Sequence, residues 1–98
     1  MKVKIIQVAG RVERQDAKVG PYKKEPGNFH KAMCAAAYYA RKMNCRMVVI
    51  PGNSYMNKVY HIAQVDEDLK KFCPGQNEVA VGIMEPSGVG YTGRATED

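Results

Sequence analysis

The stretch from Asn28 to Asn44 most constrains the fold, because apolar residues recur in it with the period of an α-helix. They lie three and four positions apart: Phe29, Ala32, Met33, Ala36, Ala37, Ala40 and Met43. Pro26-Gly27 interrupts the chain just before this stretch, Asn28 is a suitable N-cap, and Asn44 can adopt the left-handed conformation that ends a helix. These signals predict one helix over residues 28–44, with small alanines that let it lie close to a sheet.

Short apolar segments on both sides of this helix predict β-strands. They cover residues 2–13, 47–50, 58–65 and 78–84. Pro51-Gly52 fits the centre of a turn, so the second and third of these segments are expected to form a hairpin. Asp66 begins "DEDLKKFC", in which acids precede lysines, and this order predicts a short helix at 66–72. The predicted order of elements is therefore β-α-β-β-α-β.

This order predicts a single α+β domain over residues 1–84. The strand–helix–strand unit favours a parallel pair and the hairpin gives an antiparallel pair, so we expect a mixed four-stranded sheet with the main helix on one face. Strand 47–50 is apolar throughout, which indicates that the opposite face is also covered, either by the short helix or by a second copy of the chain in a homodimer. Residues 85–98, "EPSGVGYTGRATED", predict a flexible C-terminal tail.

The location of the protein is predicted from what the sequence does not contain. No segment approaches the roughly 18 apolar residues that span a bilayer, and the N-terminal apolar run is too short for a secretory signal. The three cysteines show neither a C-x-x-C motif nor the spacing of a disulfide framework. We therefore expect a cytoplasmic protein with no membrane partner, no cofactor and no metal site.

Positive charge is concentrated in the first half of the chain. Residues 1–46 contain eleven Lys and Arg residues against three Asp and Glu, whereas residues 47–98 contain four against seven. The two halves therefore have balances of +8 and −3, which together give the net charge of +5. Clustered basic charge attracts polyanions, so nucleic acid and acidic protein surfaces are the expected partners.

The candidate anion-binding residues lie near the end of the first strand, in the long loop after it and on the main helix. They are Arg11, Arg14, Lys23, Lys24, Asn28, His30, Lys31, Tyr38, Arg41 and Lys42. Unpaired N–H groups at the start of a helix accept phosphate or carboxylate, and an aromatic ring among cations can stack on a base. A solvated loop and an ordinary amphipathic helix explain the same residues. No motif for sequence-specific readout is present.

Tyr55 and Met56 follow the Pro-Gly turn and form a second candidate site, either packed against their own sheet or exposed as a protein-contact tip.

The sequence shows no arrangement of nucleophile, base or paired acids that indicates an enzyme. The leading prediction is a small non-enzymatic module that docks its basic loop and helix on a polyanion. One alternative is an accessory or inhibitor protein, of the viral or mobile-element type, that binds a protein through the 51–57 tip and a sheet edge. The other is nucleotide or small-anion binding at the N-terminus of the 28–44 helix.

Overall fold

The computed structural model describes residues 2–13, 20–25, 27–51, 59–64 and 79–96. These residues form one helix and a six-stranded antiparallel sheet. The elements are β1 (Lys2–Arg11), β2 (Tyr22–Lys23), α1 (Asn28–Met43), β3 (Met47–Pro51), β4 (Val59–Gln64), β5 (Val79–Met84) and β6 (Val89–Thr96). The strand order is β1-β6-β5-β3-β4-β2, so β1 and β2 are the two edges. Within the described ranges, no helix has the length and apolar character needed to cross a bilayer.

The predicted mixed four-stranded sheet was wrong, because β1 does not pair in parallel with β3. Instead β6 lies between β1 and β5, and it pairs antiparallel with both. The predicted flexible tail was therefore also wrong over residues 89–96. Two glycines, Gly90 and Gly93, lower the apparent strand propensity of "VGYTGRAT", although they fit a strand held closely between two neighbours. The predicted helix at 66–72 lies outside the described residues.

A tight turn over residues 85–88 joins β5 to β6. The Gly88 N–H donates to the Glu85 carbonyl at 2.9 Å, and Gly88 has a φ of 92°, which favours glycine. The Gly88 carbonyl in turn accepts a hydrogen bond of 2.7 Å from the Val12 N–H. The turn thus holds the end of β1 in place beside the β5–β6 hairpin.

The helix forms where the sequence predicts it, but its start differs in detail. Gly27, with a φ of 87°, occupies the N-cap position and no side chain caps the helix, so Asn28 is the first helical residue and not the cap. At the other end Asn44 is left-handed with a φ of 51°, which confirms the predicted stop. Arg41 and Lys42 in the last turn lie where cations interact favourably with the helix dipole.

The helix packs closely on one face of the sheet. A Cβ atom at Gly82 of β5 would lie 2.6 Å from Met33 Sδ and 2.8 Å from Phe29 Cζ, so glycine is what permits this approach. All six residues from Ala32 to Ala37 are buried. Cys34 and Ala35, which are not in the predicted apolar stripe, are therefore also part of the core, and the exposed part of α1 is narrower than that stripe implies.

The opposite face of the sheet carries a second core cluster. Its members are Val48, Ile50, Ala63, Val81, Ile83 and Ala95. Val48, Ile50 and Ile83 are 0% exposed in the single chain, which confirms that β3 is covered on both faces. A second copy of the chain is not needed to bury these positions, so the argument for a homodimer does not apply to them.

Candidate polyanion-binding site

One hydrogen bond ties a pair of lysines to the start of the helix. The Asn28 side-chain amide donates to the Lys23 carbonyl at 2.8 Å, and the Glu25 N–H donates to the same oxygen at 2.8 Å. Lys23 and Lys24 are exposed, and so is Lys31, which lies one turn along α1 from Asn28. The structure therefore brings together four of the predicted residues, and the exposed carboxylate of Glu25 lies next to Lys24 in the chain.

A stripe along the helix extends this cluster. Lys31, Tyr38 and Lys42 are separated by seven and four positions, which places them on one side of α1. The ammonium nitrogen of Lys42 lies 5.9 Å from the centroid of the Tyr38 ring. Lys31 and Lys42 are about 16 Å apart along the axis at ~1.5 Å per residue. We call the combined set of Lys24, Asn28, Lys31, Tyr38 and Lys42 the basic helix surface; Lys23 contributes its carbonyl to this arrangement, because Tyr22 beside it on β2 is the residue that faces the helix.

Three further predicted residues lie on the side of the helix that faces the end of β1. Arg11 and His30 line a pocket of about 260 Å³ together with Phe29 and Met33. Arg41 is half-buried, and its guanidinium lies so close to the β5–β6 turn that a Cβ atom at Gly88 would collide with Nη2. Arg41 is therefore less accessible to a ligand than Lys42.

Arg14, Tyr55 and Met56 lie outside the described residues. The predicted contact tip at 51–57 therefore has no structural description beyond its first residue, Pro51, which ends β3.

The described acids do not neutralise the basic helix surface. Arg46 and Glu85 form an ion pair of 2.6 Å, and both lie outside this surface. No ion pair between two described residues involves Lys23, Lys24, Lys31 or Lys42. The positive charge of these four lysines is thus presented to solvent.

A second basic region lies on the sheet beside the helix, and it was not predicted from the sequence. Lys4, Arg94 and Ala80 are cross-strand neighbours on β1, β6 and β5, and all three are exposed. Val3 and Ala95, which precede Lys4 and follow Arg94 along their strands, pack in the core cluster on the opposite face. Because side chains alternate between the two faces of a sheet, the row of three faces the same side as α1. Strand alternation within 89–96 is the signal that could have placed Arg94 on this face.

An apolar pocket of about 270 Å³ adjoins this row. It is lined by Phe29, Tyr60, Ala80, Val81, Thr92 and Gly93. The rings of Phe29 and Tyr60 meet edge to face, with centroids 5.5 Å apart and planes inclined at 65°. Phe29 was predicted only as a core residue and Tyr60 only as a strand residue, because their meeting depends on how the helix lies over β4.

Cys34 contacts His30 one helical turn away, with Sγ 3.6 Å from Nε2. Cys34 is only 2% exposed and belongs to the core cluster beneath the helix. A reactive thiolate requires an accessible, electropositive environment, which a buried core position does not provide. The pair is therefore accounted for by packing between successive turns of α1.

Comparisons of the chain with protein-family models, with curated proteins and with solved structures found no match.

Proposed function

We propose that this protein is a small, non-enzymatic module that binds polyanions, with nucleic acid as the favoured class, through its basic helix surface. The observation that supports the proposal most is the exposure of Lys31 and Lys42 on one side of α1, with Lys24 exposed just before its start and none of the three in an ion pair with another described residue. Lysines that neutralise phosphates release condensed counterions, and this release drives binding that does not depend on sequence.

The helix start adds to this potential. The first turn of α1 contains no acidic residue and receives no side-chain cap, so the N–H groups after Asn28 keep the positive potential of the helix dipole, while the Asn28 N–H donates to the Glu25 carbonyl at 3.1 Å. Lys24 and Lys31 are exposed near this end. Tyr38 is half-buried beside Lys42, and its ring adds an aromatic group to the same surface.

Fluorescence anisotropy with labelled single-stranded RNA, single-stranded DNA, duplex DNA and heparin at low salt tests the proposal. We expect binding to the polymers with dissociation constants of about 10⁻⁴ to 10⁻⁶ M near physiological salt, as is typical of non-specific contacts. Absence of binding to all four polymers would refute the proposal. A mononucleotide that binds as tightly as an oligomer would instead favour a single-anion site at the start of the helix.

A second candidate function is protein binding through β1, which is an edge strand of the sheet formed by the described residues. Ile5, Ile6 and Val8 of this strand are 42%, 57% and 61% exposed, which is unusual for large apolar side chains on one strand. The register with β6 is interrupted between Ile5 and Gln7 and again between Val8 and Gly10. Lys4 and Arg11 flank the apolar residues, so charge complementarity favours an acidic, extended segment that adds to the sheet.

The variant Ile6→Ser with Val8→Ser tests this second function. We expect it to abolish nuclease-resistant capture of one dominant protein from native lysate. Its free energy of unfolding should change by about 0.5 kcal/mol or less, because both side chains are largely in solvent. The matched control Lys31→Gln with Lys42→Gln should retain the captured protein. Equal capture by wild type and by Ile6→Ser/Val8→Ser would exclude the β1 edge.

A further inference from the structure

We infer that the apolar pocket beside the helix takes an unpaired base of a single-stranded nucleic acid, an inference that rests on the proposed polyanion binding. We call this site, lined by Phe29, Tyr60, Ala80, Val81, Thr92 and Gly93, the base pocket. The base pocket narrows the proposed ligand from polyanions in general to a polymer that offers both phosphates and free aromatic rings.

The walls of the base pocket suit a flat aromatic ring. Phe29 and Tyr60 form two aromatic walls of the pocket, with an interplanar angle of 65° between their rings. The other lining residues contribute small side chains or backbone atoms. Every base has a face that can stack on an aromatic side chain, so such a pocket is tolerant of sequence. Ala80 is exposed on its floor, which leaves room above β5 that a larger residue would fill.

The position of Phe29 is set by the fold before any ligand arrives. The ring lies over Gly82, where a Cβ atom would come within 2.8 Å of its Cζ atom, and it contacts Tyr60 on its other side. Met33, one turn further along α1, lies over the same glycine. A ring held in this way loses little conformational freedom on binding, which favours affinity.

Cations adjoin the base pocket on the same face of the molecule. Ala80 on the pocket floor is the cross-strand neighbour of Arg94, which is in turn the neighbour of Lys4. On the other side of Phe29, Arg11 and His30 line the second pocket of about 260 Å³. A strand whose base enters the pocket would therefore find Lys4 on one side of Phe29 and Arg11 on the other for its phosphates.

The aromatic lining of the pocket determines which nucleic acid fits. Bases in a duplex are paired and stacked on each other, so Phe29 and Tyr60 can meet the face only of a base that is unpaired or has been extruded. The basic helix surface alone would not distinguish single strands from duplexes. The base pocket is thus what would give preference for single-stranded nucleic acid.

The test compares a single-stranded DNA octamer with an abasic octamer that has the same number of phosphates, both measured by fluorescence anisotropy at low salt. We expect the octamer with bases to bind about tenfold more tightly, within the range that stacking of one base provides. Ala80→Leu, which fills the pocket floor, should lower this ratio to about one. Lys24→Gln, which removes a phosphate contact, should weaken both ligands and leave the ratio unchanged.

A second readout covers the case in which Ala80→Leu is misfolded. An octamer in which 2-aminopurine is the one base and all other positions are abasic should lose fluorescence when it binds the wild-type protein, because a base that is unstacked in the free ligand then stacks on an aromatic ring. Equal affinity for the two octamers without loss of fluorescence would overturn the base pocket while leaving polyanion binding intact. Failure of both octamers to bind would overturn the base pocket together with the proposed function.

Discussion

Replacing Gly93 with alanine is expected to lower the free energy of unfolding by more than about 2 kcal/mol, because the new methyl group has no room. A Cβ atom at this position would collide with the Lys4 carbonyl of β1 and lie 2.8 Å from Ile83 Cδ1 of β5. The first of these atoms belongs to the backbone of the neighbouring strand, so relief requires β1 to move away from β6. A decrease in melting temperature of about 10 °C should accompany the change.

Thr92→Ala is the matched control for this variant. Thr92 is half-exposed on the same strand, and its hydroxyl makes only a long hydrogen bond of 3.5 Å to the Gln7 carbonyl. We expect it to reduce stability by less than about 1 kcal/mol in urea denaturation. If residues 89–96 were a flexible tail, Gly93→Ala would be neutral or slightly stabilising, and that result would exclude the β1-β6-β5 arrangement.

The variant Lys24→Gln, Lys31→Gln and Lys42→Gln should lose most of its affinity for single-stranded nucleic acid. Each phosphate contact contributes about 0.7 to the slope of log affinity against log salt for a single strand. Removal of three contacts should therefore weaken binding about 100-fold at 0.1 M salt and make the slope shallower by about 2. All three side chains are exposed, so the stability of the fold should change little.

A charge-matched pair of double variants gives the necessary comparison. Lys70→Gln with Lys71→Gln removes two positive charges from the second half of the chain, and Lys31→Gln with Lys42→Gln removes two from the basic helix surface. We expect the first double variant to retain the wild-type salt dependence and the second to lose affinity. If the two double variants lose affinity equally, then net charge alone explains binding, and the basic helix surface has no special role.

The sequence predicts the helices and strands that are encoded by local signals. It does not predict those that depend on neighbouring strands in the sheet. The helix over 28–43 and its left-handed end at Asn44 follow from periodicity and from the conformational tolerance of asparagine. Strand β6 was missed because Gly90 and Gly93 weaken the local signal, and their value appears only when β1 and β5 approach from both sides. The direction of β1 in the sheet is therefore set by its antiparallel pairing with β6, and the strand–helix–strand order does not determine it.

The candidate site likewise contains residues that could be grouped from the sequence and residues that only the fold brings together. Lys23, Lys24 and Lys31 could be grouped from sequence because they lie within a few residues of one helix start, and the Asn28 hydrogen bond to Lys23 holds them there. The base pocket could not be predicted, because Phe29 and Tyr60 are far apart in sequence and meet only through the docking of α1 on the sheet. Lys4 and Arg94 likewise become neighbours only through the register of β1 with β6.

The most direct test of polyanion binding is the salt dependence of the wild-type protein's affinity for a single-stranded octamer, measured by anisotropy between about 0.05 and 0.3 M salt. Three or more phosphate contacts by the basic helix surface predict a slope of about −2 or steeper in log affinity against log salt. A slope near zero, or no measurable binding at the lowest salt, would contradict the claim that these lysines bind a polyanion.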